Sequence, residues 1–158
     1  MINSKVAESE FDKVSSNYED ELSRGISLSG ENSSFFAEKR IEHIASLIPR
    51  LNLKHEVIMD FGCGTGGSVR YLLEAFNPKS LTVVDISEES LRILKVRYKT
   101  EQVISASPSA LKTNSNHDLC FCNGVFHHIL PNDRQNATKI IYDSLKPQGY
   151  FCFWENNP

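Results

Sequence analysis

The stretch Val57-Ile-Met-Asp-Phe-Gly-Cys-Gly-Thr-Gly-Gly-Ser68, an apolar run that ends in a carboxylate and then breaks into glycines, constrains this chain most. Val57 to Met59 read as a short buried strand. Gly62, Gly64, Gly66 and Gly67 have no Cβ, so the backbone there can turn sharply and come close to a ligand. From Ser68 to Phe76 the apolar residues return at helical spacing, with Val69, Leu72, Leu73 and Phe76 on one face. The glycines therefore occupy a strand-to-helix turn whose exposed amides face a ligand.

Before that turn two amphipathic segments belong to no strand. Phe11, Val14, Tyr18 and Leu22 form one apolar stripe, and Gly25 to Asn32 reads as a loop. A second helix, capped by Asn32 or Ser33 and ended by Pro49, turns Phe36, Ile41, Ile44, Ala45 and Ile48 inward. Residues 1–50 are thus expected to form a helical cap on a core over 51–158 within a single domain. After the turn, Leu81 to Asp85 reads as a second strand, and Ser87 as the N-cap of a helix carrying Leu91, Ile93, Leu94 and Val96. Gln102 to Ser105 is a weak third strand, followed by a polar loop with one helical turn near Ala110 and Leu111. Asp118 to Asn123 is a fourth strand, a helix runs from Pro131 through Leu145, Lys146 to Gly149 closes it, and Tyr150 to Glu155 is a fifth.

Strands and helices alternate, and the strands are apolar almost throughout. That pattern predicts a doubly wound α/β fold of about five mainly parallel strands covered on both faces. In such a sheet the ligand lies beyond the carboxyl ends of the strands. Asp60, Asp85, Asn123 and Glu155 all end strands, so four polar groups are expected along one edge.

Composition narrows the ligand. The 158 residues allow one core, and a formal net charge of -3 with scattered Lys and Arg leaves no footprint for nucleic acid. No apolar run reaches the length of a membrane span or has the form of a signal peptide, so a soluble cytoplasmic protein is expected. Cys63, Cys120, Cys122 and Cys152 show no C-x-x-C spacing and read as small buried side chains rather than metal ligands.

The glycines alone fit a dinucleotide turn as well as a shorter Gly-x-Gly-x-Gly one. Asp60 weighs against a diphosphate, which it would repel, and favours a ligand with an ammonium group. The Gly-Lys-Ser/Thr of a triphosphate loop is missing. Asp85 is suited to accept two hydrogen bonds from the vicinal hydroxyls of a ribose, each worth about 1.5–3 kcal/mol. An amino-acid head joined to a ribose satisfies both carboxylates.

These residues resemble the class I S-adenosylmethionine-dependent methyltransferases from about Phe11 to the end of the chain. Asp60-x-Gly62-x-Gly64-x-Gly66 is similar to that family's first motif, which implies contacts to the methionine part of S-adenosylmethionine. Asp85 matches its ribose-binding acid and Ile86 the residue that packs on adenine. His117 to Asn123 with Val125 to Ile129 is similar to its fourth strand and following loop, which puts Asn123 near the cofactor. Leu145 to Gly149 matches the turn before strand five. The Phe11-Asp12 to Tyr18 and Phe35 to Arg40 stretches resemble the cap of a common subgroup, which makes Tyr18 and Arg40 candidates for the cofactor's carboxylate or adenosine.

The resemblance departs in two places. The best register puts Ser107 where the family often has an acid facing the adenine amino group. The family's sheet also continues with a helix and two strands beyond strand five, so the chain reads as C-terminally truncated, with a bare apolar edge expected to pair with a second copy. Methyl transfer to a small-molecule acceptor is the implied activity. His127 and His128, in the loop after strand four, are the candidate bases for a hydroxyl acceptor. Glu155 and Asn156 are candidates to line the acceptor pocket, and Trp154 reads as core. Two other readings stand beside this: a non-catalytic cofactor-binding module acting through self-association, and an NAD-dependent oxidoreductase.

Overall fold

The computed structural model describes residues 33–155, so the helix expected near Phe11 to Leu22 and the loop after it lie outside the described residues. Helices are α1 (Ser33–Leu51), α2 (Val69–Phe76), α3 (Glu88–Arg97) and α4 (Pro131–Ser144), with a 3-10 turn at Phe126–His128. Strands are β1 (Val57–Phe61), β2 (Ser80–Val84), β3 (Val103–Ala106), β4 (His117–Asn123) and β5 (Leu145–Trp154). All five join one parallel sheet in the order β3-β2-β1-β4-β5. The doubly wound α/β architecture expected from the apolar runs is the one observed.

Right-handed crossovers account for the layers. The chain travels outward from β1 to β2 to β3, then returns across β1 and travels the other way through β4 and β5. Helices of the two runs therefore cover opposite faces. On one face α2 (Val69, Leu72, Phe76) and α3 (Leu91, Leu94) pack with Ile58, Leu81, Val83, Leu119 and Phe121. Ile41, Ile44 and Ile48 of α1 belong to that same cluster, so this helix is built into the core layer. On the other face Ala137 and Ile141 of α4 meet Met59, Phe61, Val84, Cys120 and Cys122. Alternate residues of each strand serve alternate faces, which is why each central strand is apolar on both sides along most of its length and the polar side chains fall mostly toward its ends.

Local chemistry sets the helix ends. Ser87 caps α3 by accepting from Ser90 N–H at 3.1 Å, as its position predicts, and Pro131 opens α4 where its missing N–H costs nothing. Two boundaries differ from expectation. Helix α1 continues through Pro49 to Leu51, because the proline φ suits a last turn; Asn52 in the left-handed region (φ 50°) and Leu53 N–H to Ile48 O at 3.1 Å then close it. Leu145 belongs to β5 and not to the helix, since it pairs with His117.

Between the pairs His117↔Leu145 and Leu119↔Tyr150 the register shifts, so Lys146 to Gly149 bulge outward. The bulge lets Lys146 Nζ reach Asp118 Oδ1 at 2.7 Å, while Asp118 Oδ2 accepts Glu56 and Val57 N–H at 3.1 and 2.9 Å. That carboxylate ties together the entries to β1, β4 and β5, at the end of the sheet away from the glycines. Beside it, buried His117 spans Ser144 O at 3.1 Å and Thr82 Oγ1 at 3.0 Å. The first acceptor fixes the proton on Nδ1, and Nε2 then accepts from the threonine hydroxyl. The outermost strand β5 leaves Phe153 55% exposed, so the bare apolar edge expected of it is present among the described residues.

His117→Leu should lower the free energy of unfolding by about 1–3 kcal/mol, because it strands a buried hydroxyl and a carbonyl. Burial also pushes the His117 imidazole below its ordinary value near 6.5 despite the Ser144 bond. Its stabilisation is therefore complete above that pH and lost as pH falls through the lowered folded value. Denaturant unfolding should show the gap between wild type and variant narrowing below about pH 6; a gap that does not change with pH would contradict this account.

Candidate functional site

Parallel pairing brings the strand-ending polar groups to one face. Asp60 pairs with Val83 on one side and Phe121 on the other, and both neighbours face the α1–α2–α3 layer. Residues two further along, Asp85 and Asn123, continue the same faces by strand alternation. The boundary between β1 and β4 is also where the sheet reverses direction, so these groups flank a topological switch point.

The glycine turn folds back over the end of β2. Gly62 and Cys63 N–H both donate to Val84 O, at 2.7 and 3.1 Å, and Gly64 N–H donates to Asp85 Oδ2 at 2.7 Å. Gly62 holds φ +76°, and a Cβ there would come within 2.3 Å of Val125 Cγ2, so the loop after β4 rests directly on it. Gly64 (φ +52°) has the opposite surroundings, with nothing within 4 Å of a Cβ. One glycine is required by packing, whereas the other borders open space.

Asp85 is held more firmly than its sequence position implies. Besides Gly64, it accepts Ser87 N–H on Oδ1 at 2.9 Å, a local turn that the Asp-x-Ser spacing favours. Asp60 is different: it is 1% exposed, and its Oδ2 is a buried side-chain oxygen with no hydrogen-bond partner among the described residues. Burial first, and the Asp85 charge second, raise its carboxyl to about 8. An acid in such a position binds a proton tightly or accepts a cation. A cationic ammonium fits this donor set and a diphosphate does not.

A second polar group lies at the ends of β4 and β5. Arg40 of α1, packed over the Phe36 ring at 5.8 Å, donates from its guanidinium to Asn123 Oδ1. Burial lowers Arg40, and the nearby Glu155 charge offsets this. Glu155 itself accepts Val125 and Phe126 N–H on Oε1 at 2.8 and 2.7 Å, and His127 N–H and Nδ1 on Oε2 at 3.3 and 2.7 Å. Burial alone would raise this carboxyl; the His127 bond and the three amides together hold it below its usual range. The His127 and His128 rings lie 3.8 Å apart, and His128 is lowered by burial and then by its neighbour. Glu155 therefore caps the Phe126–His128 turn and orients one of the two imidazoles, a link that the thirty-residue separation hid from sequence reasoning.

The remaining candidates are spread around these two groups. Ile86 follows Asp85 and is 39% exposed, and Ser107 lies just beyond β3, its carbonyl accepting Ala110 and Leu111 N–H at 3.0 Å in the expected single turn. Gly66 sits in the turn itself, with φ +91°. Trp154 packs at the edge of the core, as expected. Tyr18 and Asn156 lie outside the described residues. Cys63, Cys120 and Cys122 are free and buried, burial raising each thiol, and Cys152 is half-buried. Among the described residues no cluster of three or more His, Cys, Asp or Glu could hold a metal, and no helix is long and apolar enough to cross a membrane.

Comparison with known proteins agrees with this geometry. Residues 58–149 match the family described as "Methyltransferase domain". The malonyl-[acyl-carrier protein] O-methyltransferase of Priestia megaterium is 29% identical over 98 residues, 61% of this chain and 35% of that protein. The fatty-acid O-methyltransferase of Mycolicibacterium smegmatis is 22% identical over 143 residues, 89% of this chain and 51% of that one. A solved S-adenosylmethionine-dependent methyltransferase from Clostridium acetobutylicum superposes with a TM-score of 0.62 at 25% identity, over 73% of this chain and 48% of that one. The chain thus spans about half or less of the length of these relatives. The family match extends over more than half of the sequence, from the middle of β1 to the bulge of β5, and the chain belongs to the methyltransferase domain family, within the class I S-adenosylmethionine-dependent methyltransferases.

Proposed function

We propose that this chain binds S-adenosylmethionine at the carboxyl ends of β1, β2 and β4 and serves methyl transfer to a small acceptor, free or carrier-bound. The observation that carries the proposal is the buried Asp60 oxygen, beside the glycine turn, that has no hydrogen-bond partner among the described residues. When bound, the cofactor supplies a methyl group on a sulfonium centre. Asp60 holds the ammonium side, Asp85 takes the ribose hydroxyls, and the Gly62, Gly64 and Gly66 backbone lets the ligand lie close. Ile86 covers the adenine face and Ser107 its amino edge. Asn123, Arg40 and Tyr18 serve the carboxylate end. The acceptors named for relatives vary from malonyl-[acyl-carrier protein] and fatty acid to ribosomal RNA, and the small acceptor is supported by the net charge of -3 and the scattered Lys and Arg.

The rest of catalysis is positioning. Holding two reactants in line in a site closed to water contributes about 7–11 kcal/mol, and a base for a hydroxyl acceptor adds about 10²- to 10⁴-fold. His127 and His128, at the same sheet end as Asp60, are the candidates for that second task. A nicotinamide-dependent oxidoreductase has no support from the family. A second reading, a cofactor-binding module that associates with its own copy through β5, is favoured by the exposed Phe153 on that edge.

Asp60 has a stability cost. Its folded-state carboxyl titrates at about 8 against an ordinary value of 3.8, so between those values the native state holds more protons than the unfolded one. Stability contributed by the neutral acid is present below about pH 4 and lost as pH rises through about 8. Asp60→Asn should consequently stabilise the ligand-free chain more at about pH 8.5 than at about pH 5, by denaturant unfolding. An equal effect at both pH values would refute the burial argument. In calorimetry, S-adenosylmethionine should bind and NAD should not, with Asp60→Asn weakening the former by at least about tenfold. Binding of NAD in its place would overturn the proposed function.

A further inference from the structure

Glu155 does more than close a turn. Its Oε2 lies 2.7 Å from His127 Nδ1, while Oε1 is fully engaged by the amides of Val125 and Phe126. A carboxylate is an acceptor only, so Nδ1 must carry the ring proton and Nε2 must be the lone-pair nitrogen. Free neutral imidazole has no such partner to choose its tautomer. The ring borders Gly124, the residue directly after Asn123, where a Cβ, if present, would lie 3.7 Å from His127 Cε1. The His128 ring lies against that of His127, tilted by 45° with 3.8 Å between ring centres. A basic nitrogen is thus oriented in the turn that follows β4, a strand that ends two residues past the partner of Asp60.

We propose that Glu155 is the positioning residue that makes His127, rather than His128, the general base for an acceptor whose attacking atom carries a proton. The inference rests on the methyl-transfer reading above. An acceptor X–H gives its proton to His127 Nε2 as the X–C bond forms; the methyl–sulfur bond breaks, and its electron pair returns to sulfur. His127 becomes an imidazolium held by the Glu155 carboxylate, and the positive charge lost from the sulfonium reappears on that ring, so charge balances. An acceptor already ionised, such as a carboxylate, has no need of this pair. The Glu155–His127 arrangement therefore selects for hydroxyl, thiol or protonated amine acceptors over free acids.

Glu155→Gln gives a distinctive readout. Its amide oxygen stays with the Val125 and Phe126 N–H groups, which places the amide nitrogen against His127 Nδ1. Two N–H groups cannot face each other, so the imidazole must shift its proton to Nε2 and the base becomes a donor. Imidazole 15N chemical shifts at a pH where the ring is neutral are expected to show His127 as the Nδ1–H tautomer in the wild type and mainly Nε2–H in Glu155→Gln. Adding S-adenosylmethionine to the wild type should also move the His127 ring resonances. The wild-type tautomer alone tests the inference if the variant does not fold. A His127 that is Nε2–H in the wild type, a tautomer unchanged in a folded Glu155→Gln, or ring resonances unmoved when calorimetry shows the cofactor bound would each overturn it. Failure of S-adenosylmethionine to bind at all would instead overturn the methyl-transfer reading, leaving the tautomer result as a test of the Glu155–His127 pair by itself.

Discussion

A carboxyl group with one buried oxygen that finds no partner among the described residues, at the centre of a parallel sheet, is the constraint on which the site depends. Asp60 has apolar strands on both sides and a second carboxylate, Asp85, close enough to raise its affinity for a proton. Removing a charged group from water costs several kcal/mol, and a fold built for stability alone would put an aliphatic side chain there. The penalty is offset only when a cation arrives. Asp85, by contrast, accepts two backbone amides, so the two acids differ in their surroundings.

The rest of the molecule holds that pair in place. Reversal of the strand order between β1 and β4 opens the crevice, and the opposite end of the sheet is tied by Asp118 to the entries of β1 and β5. Helix α1 contributes twice: Ile41, Ile44 and Ile48 fill the core, and Arg40, one residue before that stripe begins, reaches Asn123 at the site. A helix locked by its apolar face can aim one cation with little loss of side-chain freedom. The loop after β4 rests on Gly62 through Val125 and is capped by Glu155, which couples the glycine turn to the histidines through packing.

Much of this was legible in the amino-acid order. Apolar runs separated by helical stripes specify a parallel sheet, and the Asp60 to Ser68 stretch with Asp85 specifies the class of ligand. Ser87 was identifiable as a cap because the interaction is local. What escaped were contacts between residues far apart in sequence. Nothing near Glu155 marks it as the acceptor for Val125, Phe126 and His127, and nothing in Arg40 names Asn123. The two misplaced boundaries have similar causes. Pro49 ends a helix by local rule but fits a last turn, and Leu145 leaves its helix because β4 offers a strand partner. Propensity gave way in both cases to tertiary context.

The central claim is that Asp60 is neutral in the ligand-free protein and becomes the counter-ion of an incoming ammonium. Calorimetric binding of S-adenosylmethionine at about pH 7, repeated in buffers of different ionisation enthalpy, counts the protons exchanged. Release of close to one proton per cofactor is the result expected from a carboxyl at about 8. Binding with no proton released would show that Asp60 is already charged in the ligand-free site, and would contradict the account.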